Sequence, residues 1–213
     1  MTVRSRELPV FLDAGPRRRP AAPASAWAVP VEGRRVPGEA GLWVFLLGDM
    51  TLFGLFFAVF AAQMSARREE WAASAGLLHD DIGMVNTLVL LVSSYLIARS
   101  VAARHQGRAR RARTFMTAAA CLGLCFAGTK AVEYALLIGE GISPAQNLFF
   151  TYYFALTGIH LLHVVIGVAV LLVCARRIGD VSTAIVEGSA SYWHMVDVLW
   201  VVLFPLLYFI GRV

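Results

Sequence analysis

Ser191-Tyr192-Trp193-His194-Met195-Val196-Asp197-Val198-Leu199-Trp200 opens an apolar run that continues to Ile210. A histidine and a carboxylate three residues apart share one face of a helix. Ionisable groups at membrane depth are costly, and they face other helices or a polar pocket. A second apolar run has the same character: Thr157-Gly158-Ile159-His160-Leu161-Leu162-His163 carries two histidines at the same spacing. These two stretches imply membrane helices whose polar groups turn toward one another.

Composition agrees. Of 213 residues 58% are hydrophobic and 15% charged, against about 25% charged in a soluble domain. The chain is long enough for about five spans of roughly 20 residues, which leaves no second folded domain. The net charge of +5 does not point to nucleic acid, because the basic residues lie mainly in the tail and the loops of one side. Cys121, Cys125 and Cys174 fall within or at the end of apolar runs and read as small membrane residues, not a disulfide framework. The Cys121-x-x-x-Cys125 spacing also occurs in dinuclear copper sites, but here Thr129 stands where a further ligand would be needed.

Residues 1–37 hold six of the eight prolines and seven arginines, including Arg17-Arg18-Arg19. No apolar core of 7–15 residues, as a signal peptide requires, occurs there. The segment is expected to be a disordered cytoplasmic tail, with residues 38–213 forming the membrane domain.

Hydropathy places the spans at Gly41–Gln63, Ile82–Ala98, Phe115–Ile138, Leu148–Cys174 and about Ala190–Ile210, with Met64–Asp81 and Arg176–Ser189 as loops. In the third span Ala119, Gly123, Ala127, Ala131 and Ala135 form a small-residue stripe that admits a close neighbour. Lys130 and Glu133 share a face and can neutralise each other. Pro205 removes a backbone donor from the fifth span. The tail, second loop and fourth loop carry seven, six and two arginines; the remaining loops and the C-terminal tip carry two, none and one. The positive-inside rule then puts the N-terminus in the cytoplasm and the C-terminus outside.

With this topology, Asp49 and Asp197 each lie about 10 Å from the inner edge, His194 about 6 Å and His163 roughly 16 Å, at 1.5 Å per residue. These four residues are expected to form an inner-half polar cluster. Lys130 and Glu133 form an outer pair, and His160 sits near mid-membrane. Several readings of these groups stand side by side. A haem held by two histidines needs them on facing helices, and His160 and His163 share one face. A mixed metal site lacks the Glu-x-x-His pattern of bundle sites. A proton-handling or transport pathway suits buried acids and imidazoles. Mutual hydrogen bonding that locks the bundle suits them equally.

The quoted stretches resemble a known family. Ser191 to Trp200 resembles the "YWHFVDVVW" signature of cytochrome c oxidase subunit III, and Ala155 to Val164 resembles that family's "ATGFHGLHV" segment. Phe45-Leu46-Leu47-Gly48-Asp49-Met50-Thr51-Leu52-Phe53-Gly54 is similar to its "SE-x-x-FF-x-G" helix, with Asp49 in place of the glutamate. Glu133-Tyr134 matches the family's "EY". These motifs occur in order between Gly38 and Arg212.

The resemblance implies an accessory subunit of a respiratory haem–copper oxidase in a bacterial plasma membrane. Such a subunit binds no haem or copper itself and has no catalytic residues. It holds structural phospholipid, packs beside subunits I and II, and supports proton uptake. Electrons reach oxygen, and protons are pumped, in those partners. The family's familiar form has two further N-terminal helices, where this chain has the Pro/Arg tail. Five-helix relatives also accompany nitric oxide reductases, so an accessory role there is the alternative. A stand-alone proton or ion transporter is a third, and the lack of an internal repeat argues against it.

Overall fold

The computed structural model describes residues 40–209. The expected tail over residues 1–37, and the end of the last span at Ile210, lie outside them. Every element among the described residues is a helix: α1 (Ala40–Ala66), α2 (Arg68–Ala75), α3 (Asp80–His105), α4 (Ala109–Gly139), α5 (Leu148–Arg176) and α6 (Thr183–Tyr208). All but α2 are long and apolar enough to cross a membrane. The protein is therefore an all-α, multi-pass membrane bundle.

Two expectations are corrected. The connection after the first span contains α2, an eight-residue helix with Glu69 and Glu70 in its first turn, where acids favour the helix dipole. Trp71 and Ala75 fall on its buried side. The last span begins at Thr183, roughly two turns before the hydropathy boundary. Ser182 caps it by accepting a hydrogen bond from the Ile185 amide at 3.3 Å, and its polar first turns are helical because Val186, Ser189 and Ala190 pack inward.

Two helix ends require a left-handed residue. Gly107 (φ +70°) and Gly141 (φ +83°) follow α3 and α4. In each case the glycine amide and the next one fold back on the last-turn carbonyls: Gly107 to Arg104 and Arg108 to Ala103, then Gly141 to Ile138 and Ile142 to Leu137. This Schellman geometry satisfies carbonyls that a helix end leaves orphaned, and it makes α3–α4 a tight hairpin.

The hairpin and the α5–α6 loop lie at one end of the bundle. Arg113 donates to the carbonyls of Ala175 (3.0 Å) and Arg176 (3.3 Å), and Arg104 donates to Val181 (3.1 Å). Leu42 of α1 packs on Gly188 at the same end. At the opposite end Trp71 closes an aromatic group, 4.7 Å from Phe60 and 5.7 Å from Phe149 between ring centroids.

The core runs along α3, α4, α5 and α6, and α6 is the most enclosed span. Its Trp193 fills a notch that exists only because α4 and α5 carry glycine there. A β-carbon on Gly123 would lie 2.6 Å from the indole, and one on Gly167 2.8 Å from it. The indole N–H donates to Ser93 Oγ at 2.8 Å, and the Trp200 indole donates to Thr87 at 3.0 Å. α1 sits at the edge, burying only Leu46, Phe53 and Phe60.

Candidate functional site

Three sets of polar groups interrupt the apolar interior. In the first, Asp49 of α1 presents Oδ1 to His163 Nε2 at 3.3 Å, with side-chain exposures of 10% and 13%. The other ring nitrogen, Nδ1, lies 2.8 Å from the Ile159 carbonyl one turn back. A carbonyl only accepts, so Nδ1 carries a proton. A neutral ring would then present a lone pair to the carboxylate. The contact is attractive only if the pair holds one further proton, as imidazolium–carboxylate or as imidazole–carboxylic acid. Phe53 packs edge-on to the ring at 5.6 Å, and Tyr192 OH donates to the His163 carbonyl at 3.2 Å.

His163 of this pair lines a groove of about 760 Å³ between α1, α5 and α6 at the arginine-bearing end. Leu42, Phe45, Val170, Ile185 and Tyr192 give it apolar walls, and His163 supplies a polar spot.

The second set lies between α3 and α6. Ser94 Oγ and His194 Nδ1 are 2.6 Å apart. Asp197, one turn further along α6, is 4% exposed. Neither of its carboxyl oxygens has a well-formed hydrogen bond among the described residues, and Ser94 is the polar group beside it. The four residues expected as one inner-half cluster thus occur as two sets, Asp49 with His163 and His194 with Asp197, and no hydrogen bond joins them among the described residues. Depth along a helix does not fix the side on which a residue faces. Tyr192 turns to α5 while His194, two residues later, turns to α3. Two residues rotate a helix by about 200°.

The third set is fully enclosed. Lys130 Nζ lies 3.0 Å from Glu133 Oε2, and both side chains are 0% exposed. Nζ also donates to Tyr153 OH (3.0 Å) and Tyr208 OH (3.2 Å). Both phenols in turn donate to Glu133 Oε1, at 2.7 and 2.5 Å. One ammonium, one carboxylate and two phenols satisfy one another, the condition under which a charge pair persists in low dielectric. The Trp200 ring and both tyrosine rings also flank the ammonium within 6 Å, a favourable cation–π arrangement.

His160 belongs to none of the three. It is 0% exposed, stands between Phe126 and Trp200 at 5.6 and 5.1 Å, and neither ring nitrogen has a hydrogen-bond partner among the described residues. Sequence reasoning missed Tyr153 and Tyr208. The one signal available was the need of buried phenols for a polar partner.

Among the described residues no group of three or more His, Cys, Asp or Glu side chains is placed to hold a metal ion. Cys121 and Cys125 lie on an exposed face. The arrangement offers paired acids and imidazoles beside an apolar groove, together with an internal polar lock.

Residues 36–212 match the family model described as cytochrome c oxidase subunit III. The chain is 33% identical to cytochrome c oxidase subunit 3 of Thermostichus vulcanus over 178 residues, 81% of this chain and 87% of that protein. It is 27% identical to a probable quinol oxidase subunit 3 of Staphylococcus haemolyticus over 180 residues, covering 82% and 90% of the two chains. It is likewise 27% identical to the cytochrome bo(3) ubiquinol oxidase subunit 3 of Pseudomonas aeruginosa over 176 residues, covering 80% and 84%.

Proposed function

The chain belongs to the cytochrome c oxidase subunit III family, and from that premise we propose that it is the non-redox accessory subunit of a respiratory haem–copper oxidase. It packs beside the catalytic subunit I and subunit II in a bacterial plasma membrane. The observation that carries this reading is the match across the whole five-helix region, 36–212. The same region holds acids and imidazoles that bond to one another and to hydroxyls within the chain.

The arginine-bearing end faces the cytoplasm in this reading, as the positive-inside rule requires. The Asp49–His163 pair then lies in the inner half of the membrane, beside the groove. A carboxylate and an imidazole that share a mobile proton suit a station that accepts protons from the cytoplasmic surface and passes them toward the partner. The groove holds structural phospholipid, its acyl chains along Val170 and Ile185. Oxygen reduction and proton pumping take place in the partner subunits, and cytochrome c is the electron donor. Relatives named as quinol oxidase subunits align with about four fifths of this chain, so in this reading the donor is set by the partners.

Co-purification tests the reading. A tagged full-length chain taken from its native membrane should bring down an oxygen-reducing haem–copper oxidase. The chain alone should show no Soret band. Capture of a nitric oxide reductase instead would move it to the alternative complex. Proton flux by the lone chain in liposomes would make it a transporter.

A further inference from the structure

The α3–α4 hairpin leaves a pocket of about 260 Å³ at the arginine-bearing end. Arg99 of α3 and Gln106 just beyond its end line one side, and Arg108, Arg111, Thr114 and Phe115 line the other. No carboxylate lines the pocket, and none of the ion pairs among the described residues involves its three arginines. The neighbouring Arg104 and Arg113 are committed to backbone carbonyls. Arg99 is fixed in place: its guanidinium lies 5.6 Å over the Phe115 ring and 5.7 Å from the Tyr95 ring centroid, and Nη1 donates to Tyr95 OH at 2.8 Å. Its remaining donors have no partner among the described residues.

The charge distribution is unusual for a helix start. α4 begins after Arg108 with no side-chain cap and no acid in its first turn, and Arg110 and Arg111 stand there instead. A helix N-terminus already carries partial positive charge and favours anions. Cations at this end of the bundle serve topology, but topology does not require them to converge on one pocket at the positive end of a helix. An anion in the pocket would neutralise both.

Depth indicates the source of that anion. Arg99 lies about 9 Å back along α3 from its end at His105, within reach of the phosphate level of a leaflet. From there the α3 surface continues as exposed Tyr95, Val92 and Leu91, an apolar strip on which acyl chains can lie. Guanidinium forks grip phosphate oxygens two at a time. We propose that the α3–α4 hairpin pocket binds the phosphodiester of a phospholipid with net negative charge, held by Arg99, Arg108 and Arg111. The site is separate from the α1–α5–α6 groove and does not depend on which oxidase the chain serves.

Native mass spectrometry of the full-length chain in detergent tests this, with phosphatidylglycerol, chain-matched phosphatidylcholine and inorganic phosphate as probes. Phosphatidylglycerol should bind about tenfold more tightly than phosphatidylcholine, the scale expected for a few basic groups at a leaflet surface. The double variant Arg99→Lys/Arg111→Lys keeps every charge but loses the forks, and should lose most of the affinity for phosphatidylglycerol. Arg110→Ala removes a charge at the same end outside the pocket, and should keep it. Equal helicity by circular dichroism makes the variants comparable. Equal affinity for the two lipids, or a lysine variant that binds like the parent chain, would overturn the proposal. Arginine-dependent binding of inorganic phosphate without a lipid preference would give the pocket to a soluble phosphate and overturn the lipid source.

Discussion

Asp49 on α1 and His163 on α5 meet at 3.3 Å, a polar contact that ties the edge helix to the rest of the bundle. His163 Nδ1 faces the Ile159 carbonyl, which leaves Nε2 turned toward the carboxylate. α1 buries few side chains, so a polar anchor a third of the way along it has structural weight, and the same atoms form the proposed proton station.

Replacing Asp49 with alanine separates the two roles. Breaking one enclosed ion-pair contact costs at most about 3–5 kcal/mol, too little to dissolve a five-helix bundle. The oxidase complex should assemble, and its turnover should be slower or decay sooner. Steady-state oxygen consumption from neutral to alkaline pH measures this. Parental turnover across that range would mean the carboxylate has no functional part.

The Lys130 lock makes a sharper stability prediction. Lys130→Met leaves Glu133 as an uncompensated buried charge and should destabilise the chain by about 3–5 kcal/mol. Adding Glu133→Gln removes that charge while keeping an acceptor for Tyr153 and Tyr208, so the double variant should recover much of the loss. Thermal unfolding in detergent reads both. A double variant no better than the single would show that the charge pair is not the source of the cost.

Trp193 supplies a steric test. Gly123→Ala and Gly167→Ala each push a methyl group into the indole and should cost about 1–3 kcal/mol as overpacking. Gly128 and Gly158 open on free space, so alanine there should be neutral or stabilise by up to about 1 kcal/mol through helix propensity. Melting temperatures of the four variants should fall into these two groups.

The α6 start gives a smaller effect. Ser182→Ala removes the side-chain cap from the Ile185 amide and should cost about 1 kcal/mol. Faster amide hydrogen exchange should follow, confined to the first turn of α6. Unchanged exchange there would mean the turn is held by packing alone.

Much of the bundle was legible because each span is a long apolar run. The start of α6 was not, since residues 183–189 are too polar for a hydropathy window and are helical through packing and a serine cap. α2 was hidden for a related reason: eight residues with four charged or interfacial side chains read as a loop until Trp71 is seen against Phe60. The spacing of Lys130 and Glu133 was enough to put them on one face. Tyr153 and Tyr208 come from other helices, and no local pattern announces them. Depth arithmetic gathered Asp49, His163, His194 and Asp197 into one layer. It had no information about rotation, and rotation sends the two α6 residues toward α3.

The most direct test of the account is native mass spectrometry of the intact complex released from its membrane. The account predicts this chain, without haem or copper of its own, in one particle with the catalytic subunits of a haem–copper oxidase. A particle in which the chain accompanies a nitric oxide reductase, or in which it carries a haem itself, would contradict it.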